Sequence, residues 1–165
     1  ALFKGSPIGY VGNNVLAAAI LAKVSAVSGK SFAELKEIFS HFAPYDTSAR
    51  AVLTQTVVLS GKTPQQVKQI YEHSSFQSFL LDNYATAVLV DAMMLSKKSE
   101  NEITTTFVKM SSHLLNNRAR AILTATSVLN NVPIAEVQFA FDKTYFGLLD
   151  VEARAILTDV MVSSR

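Results

Sequence analysis

Four arginines are the residues whose spacing in this chain most suggests ligand chemistry. Arg50, Arg120 and Arg154 each stand in the middle of an Ala-Arg-Ala tripeptide, and Arg118 lies two residues before the second of them. A guanidinium group presents its N–H donors in a planar fork that suits carboxylates and other anions. If the tripeptides are equivalent positions of a repeat, their arginines line one surface, and we expect that surface to bind an acidic peptide or another anion. The alternative is a solvated helix face on which each arginine pairs with a nearby aspartate.

Two Gly-Lys-Ser/Thr tripeptides, Gly29 to Ser31 and Gly61 to Thr63, resemble the end of a phosphate-binding loop. Such a loop needs a glycine five positions before the Gly-Lys pair, and Val24 and Thr56 stand there instead. It also needs a preceding strand, whereas the pattern here is helical. The end of one helix and the start of the next explain the same residues, so no nucleotide site is predicted.

The three histidines do not form a metal-binding pattern. His41, His73 and His113 have no pair of carboxylates beside them at helical spacing, as a di-metal or zinc helix site would need. His41 and His73 are expected near the ends of helices, where an imidazolium is stabilised by the helix dipole. The chain has no cysteine, which excludes thiol chemistry. No catalytic residue, metal or cofactor is therefore predicted.

Composition narrows the class of protein. Hydrophobic residues make up 49% of the 165 residues, enough for one core, while charged residues make up only 17%. A net charge of +2 with scattered Lys and Arg is typical of a protein with no nucleic acid partner. No apolar run is long enough to cross a membrane, so we expect a soluble chain whose compartment is undetermined. Because the first residue is Ala1, either a leader has been removed or the chain is a piece of a longer protein.

An internal repeat indicates the fold. The residues from Ala17 to Ser40 align without a gap with those from Ala49 to Glu72, 32 positions later. Further copies begin at Ala85, Ala119 and Ala153, at steps of 36, 34 and 34 residues. Periods of this length are typical of helical repeats. We expect an all-α right-handed α–α superhelix, or solenoid, of stacked antiparallel helix pairs, with about 4.5 repeats and about nine helices.

Helix-start residues recur in each repeat and position its helices. An Asn or Asp precedes each Ala-x-Ala segment by three residues, as expected of an N-cap: Asn14, Asp46, Asp82, Asn116 and Asp150. Capping-box pairs open the second helix of three repeats: Ser31 with Glu34, Thr63 with Gln66, and Ser99 with Glu102. The predicted helices are 14–28, 31–42, 46–60, 63–75, 82–96, 99–113, 116–130, 133–145 and 150–163. They form one domain over 1–165, with a non-helical lead-in over 1–13 and repeats that begin near 14, 46, 82, 116 and 150.

The column that ends each first helix contains Gly29, Gly61, Lys97 and Asn131. Glycine and asparagine tolerate the left-handed conformation that closes many helices, and lysine tolerates it less well. We therefore expect the third copy to end differently.

The last helix is expected to be apolar around much of its circumference. Its apolar residues are Ala153, Ile156, Leu157, Val160, Met161 and Val162. A terminal helix of a repeat array normally has a polar outer face. We therefore expect something to continue the stack, either further residues of the natural chain or a partner.

The expected function is a protein–protein interaction or assembly module without enzymatic activity, with a protein partner or self-association. The main alternative is a carrier that encloses an apolar, lipid-like ligand between helix layers. It is suggested by aromatic residues on the second helices and at their exits: Phe39, Tyr71, Phe76, Phe79, Phe107, Phe139, Phe141, Tyr145 and Phe146. Core packing explains most of these, and Phe76 and Phe79 fit a core least well. An enzyme of unknown class is the third reading, and the sequence shows no cluster of titratable groups for it.

Overall fold

The structure is a computed structural model that describes residues 12, 14–110, 115–144 and 150–165. Within these ranges it contains ten α-helices and no strand, which confirms the predicted all-α class. The helices are α1 (Val15–Ser28), α2 (Phe32–Ser40), α3 (Thr47–Ser60), α4 (Pro64–His73), α5 (Phe76–Leu80), α6 (Asn83–Ser96), α7 (Glu100–Lys109), α8 (Asn117–Leu129), α9 (Ile134–Lys143) and α10 (Val151–Ser163). Apart from Gly12, the predicted lead-in over 1–13 lies outside the described residues.

The five predicted N-caps are confirmed. In α1, α3, α6, α8 and α10, the side-chain oxygen of the capping residue accepts a hydrogen bond from the third backbone N–H that follows it. The donor–acceptor distances lie between 2.7 Å, from Ala85 N to Asp82, and 3.1 Å, from Ala49 N to Asp46. We call these five helices the first helices. Each begins at the Asn or Asp that the repeat predicts.

The second helices are α2, α4, α7 and α9. Ser31 with Glu34 and Ser99 with Glu102 form complete capping boxes at the start of α2 and α7. These hydrogen bonds lower the pKa of both glutamates. Thr63 and Gln66 exchange the same two bonds, 3.0 and 3.2 Å long, at the start of α4. Pro133 makes no side-chain hydrogen bond at the start of α9, because a proline side chain has no polar atom to form one.

The first helices end in the left-handed conformation that glycine favours. The prediction that the third copy ends differently is wrong. Gly29, Gly61 and Asn131 have positive φ, but so does Lys97, with φ 59°. The third copy therefore ends in the same left-handed conformation, although lysine carries a Cβ that this conformation disfavours. The requirement of the chain path outweighs the preference of the residue.

Helix α5 is the one element that the repeat does not predict. The expected pattern of about nine helices leaves residues 76–81 as a connection, whereas Phe76–Leu80 form a helix with Phe76 fully buried. The insertion that lengthens this step to 36 residues therefore folds as its own turn of helix, because it carries apolar side chains that need burial. Leu81 follows it with positive φ and is 89% exposed.

The chain divides into two compact units, Ala1–His73 and Ser74–Arg165. In the first unit, α1 packs against α3, and α2 and α4 contact α3. In the second, α6 packs against α8 and α8 against α10, with α7 and α9 beside them. Within each unit, first helices therefore pack against first helices. None of the helices in the described ranges is long and apolar enough to cross a lipid bilayer.

Alanines let the first helices approach closely. Six alanines of the Ala-x-Ala segments in α3, α6 and α8 are fully buried: Ala49, Ala51, Ala85, Ala87, Ala119 and Ala121. The first and the last of the first helices differ. Ala17 is fully buried in α1 and Ala155 in α10, whereas Ala19 is exposed and Ala153 half-buried.

We predict that Lys97→Gly stabilises the protein by about 1 kcal/mol, because glycine removes the Cβ strain at this positive φ. The reciprocal change, Gly61→Lys, should cost about the same, since open space surrounds the position where its Cβ would lie and only backbone strain counts. Urea unfolding of the two variants measures both free energies. If Lys97→Gly is neutral or destabilising, the lysine side chain makes a stabilising contact that outweighs the strain.

Candidate interaction surfaces

Three of the four arginines make the same contact. The Nη2 atoms of Arg50, Arg120 and Arg154 donate hydrogen bonds to the backbone oxygens of Phe39, Phe107 and Phe141, at 3.1, 2.9 and 3.1 Å respectively. Each guanidinium also lies over the ring of that same phenylalanine, 3.8, 4.2 and 4.1 Å from its centroid. We call this arrangement the arginine clamp. It joins the last turn of a second helix to the first helix that follows.

The clamp combines three favourable interactions. The carbonyl groups in the last turn of a helix have no partner within the helix, so a donor from outside satisfies them. A cation at this end also interacts favourably with the helix dipole. The stacking of the planar guanidinium on the phenyl ring adds a cation–π contribution. Each clamp therefore orients two helices relative to each other.

Sequence reasoning found the arginine column but missed its partners. The signal was present, because Phe39, Phe107 and Phe141 hold one column of the second helices and precede their arginines by 11 to 13 residues. In the remaining copy the aromatic residue is Tyr71 and the arginine position holds Thr86. A correlation between two columns of one repeat predicts a contact between them.

Anion binding by the arginine column stays a prediction, and the clamps define what it requires. Burial lowers the pKa of Arg50 and Arg120, from a normal value high enough that both remain cationic at neutral pH. Arg154 is only 9% exposed. An acidic ligand would have to compete with a backbone carbonyl and an aromatic ring for each of these groups.

Arg118 lies in a different environment from the other three arginines. Its Nε is 2.8 Å from a carboxylate oxygen of Asp82, and its Nη1 is 3.7 Å from one of Glu152. Its guanidinium also lies 5.4 Å from the ring centroid of Tyr84. Burial, and next the charge of Glu152, raise the pKa of Tyr84 to about 12, so its phenol is neutral at physiological pH. Arg118 therefore bridges the starts of α6, α8 and α10.

This bridge borders an open cleft of about 430 Å³ in the second unit. The cleft is lined by Leu80, Leu81, Asp82, Asn116, Asn117, Arg118 and Glu152. Two carboxylates and one guanidinium give these side chains a net negative charge. A second cleft, of about 380 Å³, is lined by polar and small apolar residues around Lys98 and Pro133. In the first cleft, the carboxylates beside Arg118 oppose the binding of a further anion.

The histidines that the structure describes lie at helix ends, as expected. His41 is the residue that ends α2, and Nδ1 of His73 lies 2.8 Å from the backbone oxygen of Gln69 in the last turn of α4. His113 lies outside the described residues. In the described ranges, no group of three or more His, Asp or Glu residues is placed to hold a metal ion.

The aromatic residues that suggested an apolar ligand are mostly buried among side chains. Phe39, Tyr71, Phe107 and Phe141 are at most 5% exposed. The interpretation of Phe76 as a poor core residue is wrong, because this side chain is fully buried and its ring meets Phe79 edge-on at 6.1 Å. Phe79 is 42% and Phe139 63% exposed. Tyr145 and Phe146 lie outside the described residues.

The outer face of α10 carries three of the exposed large hydrophobic residues on the first helices of the second unit, whereas α8 carries only Leu129 among its described residues. Leu157, Val160 and Met161 are 37%, 57% and 40% exposed, and they lie at helical spacing on one side. Val162 is 4% exposed and belongs to the core. We call Ala153, Leu157, Val160 and Met161 the α10 outer face. The expected apolar last helix is present, with its apolar residues divided between the core and this face.

The columns of the repeat show what this face normally does. The residues equivalent to Leu157 in the other first helices are Leu21, Leu53, Leu89 and Leu123, and all four are fully buried. The residues equivalent to Val160 are Val24, Thr56, Ala92 and Thr126, and none is more than 1% exposed. In α1, α6 and α8 the next first helix packs against the helix that carries these residues. The α10 outer face is therefore as apolar as the surfaces that a neighbouring first helix covers, but it is exposed.

We predict that the arginine clamp stabilises the fold. Arg120→Lys retains the charge but loses the planar fork and its stacking, and it should lower the free energy of unfolding by about 1 kcal/mol. Arg120→Ala should cost about 2 kcal/mol, because the buried carbonyl of Phe107 also loses a charged donor. Chemical denaturation measures both changes. Arg165→Ala, at an exposed position, is the control and should be neutral within about 0.5 kcal/mol. Equal stability of all three variants would show that the clamp adds nothing.

No protein-family model matches this chain, and no curated protein and no solved structure is significantly similar to it. What the chain does has to be inferred from its own contacts, burial and charge.

Proposed function

We propose that this chain is a non-enzymatic helical-repeat protein that acts as a protein–protein interaction or assembly module. In this proposal its antiparallel helix pairs stack into a right-handed α–α superhelix. The support is the recurrence of the same contacts within each unit. First helices pack on first helices, and arginine clamps tie a second helix to the next first helix in both units. A repeated contact of this kind extends by adding another copy of itself.

The observation that carries the proposal is the α10 outer face. Leu157 and Val160 occupy columns that are buried in every other first helix, and here both meet solvent. An apolar strip along one helix, with the spacing of a helix–helix contact, fits the groove-and-ridge surface of another helix. Burial of the exposed parts of Leu157, Val160 and Met161 supplies a favourable hydrophobic contribution. We infer that the partner is a protein that presents a helix to this face.

Carriage of an apolar ligand is the rival function. The two functions differ in the surface on which binding depends. A carrier encloses its ligand between helix layers, so its binding should depend on the aromatic side chains near Phe79. An interaction module should depend on the α10 outer face instead. The two functions therefore predict different molecules at different positions.

We predict that a photoreactive residue at Met161 forms a covalent adduct with a protein when the full chain is irradiated in an extract of its native cells. The control places the photoreactive residue at position 65, where the exposed Gln65 of α4 stands, and this variant should form no adduct. Val160→Glu should abolish the adduct, because it places a charge in the centre of the contact. Mass spectrometry identifies what is attached.

An adduct of equal yield from Gln65 and Met161 would contradict the assignment of this face. A reproducible small-molecule mass on the purified chain, lost on Phe79→Ala and unaffected by Val160→Glu, would support the carrier instead.

A further inference from the structure

The first helices nearest the two ends of the chain, α1 and α10, each leave one side exposed. Val160 of the α10 outer face corresponds to Thr126 of α8, whose hydroxyl contacts Asp159 of α10. The residues of α10 that are buried within the second unit include Ala155, Thr158 and Val162. In the columns of the repeat, these three positions correspond to Ala19, Ala22 and Ala26 of α1.

These three alanines of α1 are more exposed than their equivalents, although Ala22 also packs against the core of the first unit. Ala19 and Ala26 are exposed and Ala22 is half-buried. The residues equivalent to Ala19 are Ala51, Ala87, Ala121 and Ala155, and all four are fully buried. The residues equivalent to Ala22 are Thr54, Val90, Thr124 and Thr158, which are fully buried as well. We call Ala19, Ala22 and Ala26 the α1 outer face.

Within one chain, polar contacts set the register in which α10 packs on α8. In the contact between α8 and α10, the hydroxyl of Thr126 donates to Asp159 at 2.8 Å. Near the other end, the amide of Asn130 donates to the Ser163 hydroxyl at 3.2 Å. Thr126 shares its column with Val160, and Asp159 shares its column with Lys23 of α1. The same register would place Lys23 beside Val160, where its long apolar stem can cover the valine and its charge can reach solvent.

We propose that the cover of the α10 outer face is α1 of a second copy of this chain, packed as α10 packs on α8. The proposal rests on the function proposed above and names its partner. The contact is heterologous, because α10 of one copy meets α1 of the next, and each copy keeps one free face for a further contact. Small residues on α1 let the axes approach, while Leu157, Val160 and Met161 supply the apolar surface.

The proposal predicts the result of a mixing experiment with two variants of the full chain. Val160→Glu blocks the α10 outer face and leaves α1 intact, whereas Ala19→Glu blocks the α1 outer face and leaves α10 intact. Both positions are exposed in the single chain, so each variant should fold, as circular dichroism and urea unfolding will check. An unpaired carboxylate in an apolar contact should weaken association at least ~100-fold.

Analytical ultracentrifugation over a concentration series measures the outcome. We expect the wild type to form multiples that grow with concentration, each variant alone to stay monomeric, and the equimolar mixture to form a dimer and nothing larger. The mixture restores one intact α10 outer face opposite one intact α1 outer face, so it also shows that both variants are folded. Val108→Glu and Ala33→Glu, at exposed positions on α7 and α2, are matched controls and should associate like the wild type.

Two results would overturn the proposal. A wild type that stays monomeric up to its solubility limit would show that α1 of another copy does not cover this face. Self-association that Ala19→Glu leaves unchanged would show that α10 meets something other than α1, such as α10 of the other copy. In either case the proposed function is tested separately, since an adduct from Met161 with a different protein would preserve it.

Discussion

The close approach of first helix to first helix is the constraint on which the rest of this structure depends. It favours small residues at the contact, and the Ala-x-Ala segments supply buried alanines in every first helix. A larger side chain at Ala51 or Ala121 would force the axes apart, because the interior is close-packed and leaves no space for added atoms. The N-cap three residues earlier fixes where each first helix begins, and so sets the register of the contact.

Within each unit, the second helices are held to the first helices by chemistry of a different kind. Their apolar stripes bury residues such as Leu35, Val67, Ile103 and Val137, which give burial but little direction. The arginine clamp adds direction, because a guanidinium must meet both a carbonyl oxygen and the face of a ring. Phe39, Phe107 and Phe141 thus have two roles, as core residues and as the platforms for Arg50, Arg120 and Arg154.

The sequence predicts much of the local structure, because helix ends depend on neighbouring residues. The five N-caps and the capping pairs that start at Ser31, Thr63 and Ser99 need only a few side chains and the adjacent backbone, and all of them are present. Lys97 shows the limit of such local rules, since its conformation follows the path of the chain and not its own preference. Helix α5 was missed because a five-residue helix depends on the burial of Phe76, which no periodicity reveals.

The candidate surfaces were harder to predict because they depend on which side of a helix is covered. The sequence identifies Leu157 and Val160 as apolar, but only the structure shows that four equivalent leucines are buried and this one is not. The arginine column illustrates the opposite case, in which residues expected to face a ligand contact their own chain. Exposure and contact partners depend on how the whole molecule packs. The sequence indicates a contact only where the residues at two repeat positions change together, as the arginine and phenylalanine positions do.

The central claim is that the α10 outer face and the α1 outer face are two halves of one contact. Amide hydrogen exchange of the wild-type chain at a low and a high protein concentration tests this claim most directly, because it reads every helix at once. We expect protection to rise with concentration in α10 and α1 together and to stay constant in α4. Exchange that is independent of concentration in both helices, or protection that rises in α10 alone, would contradict the account.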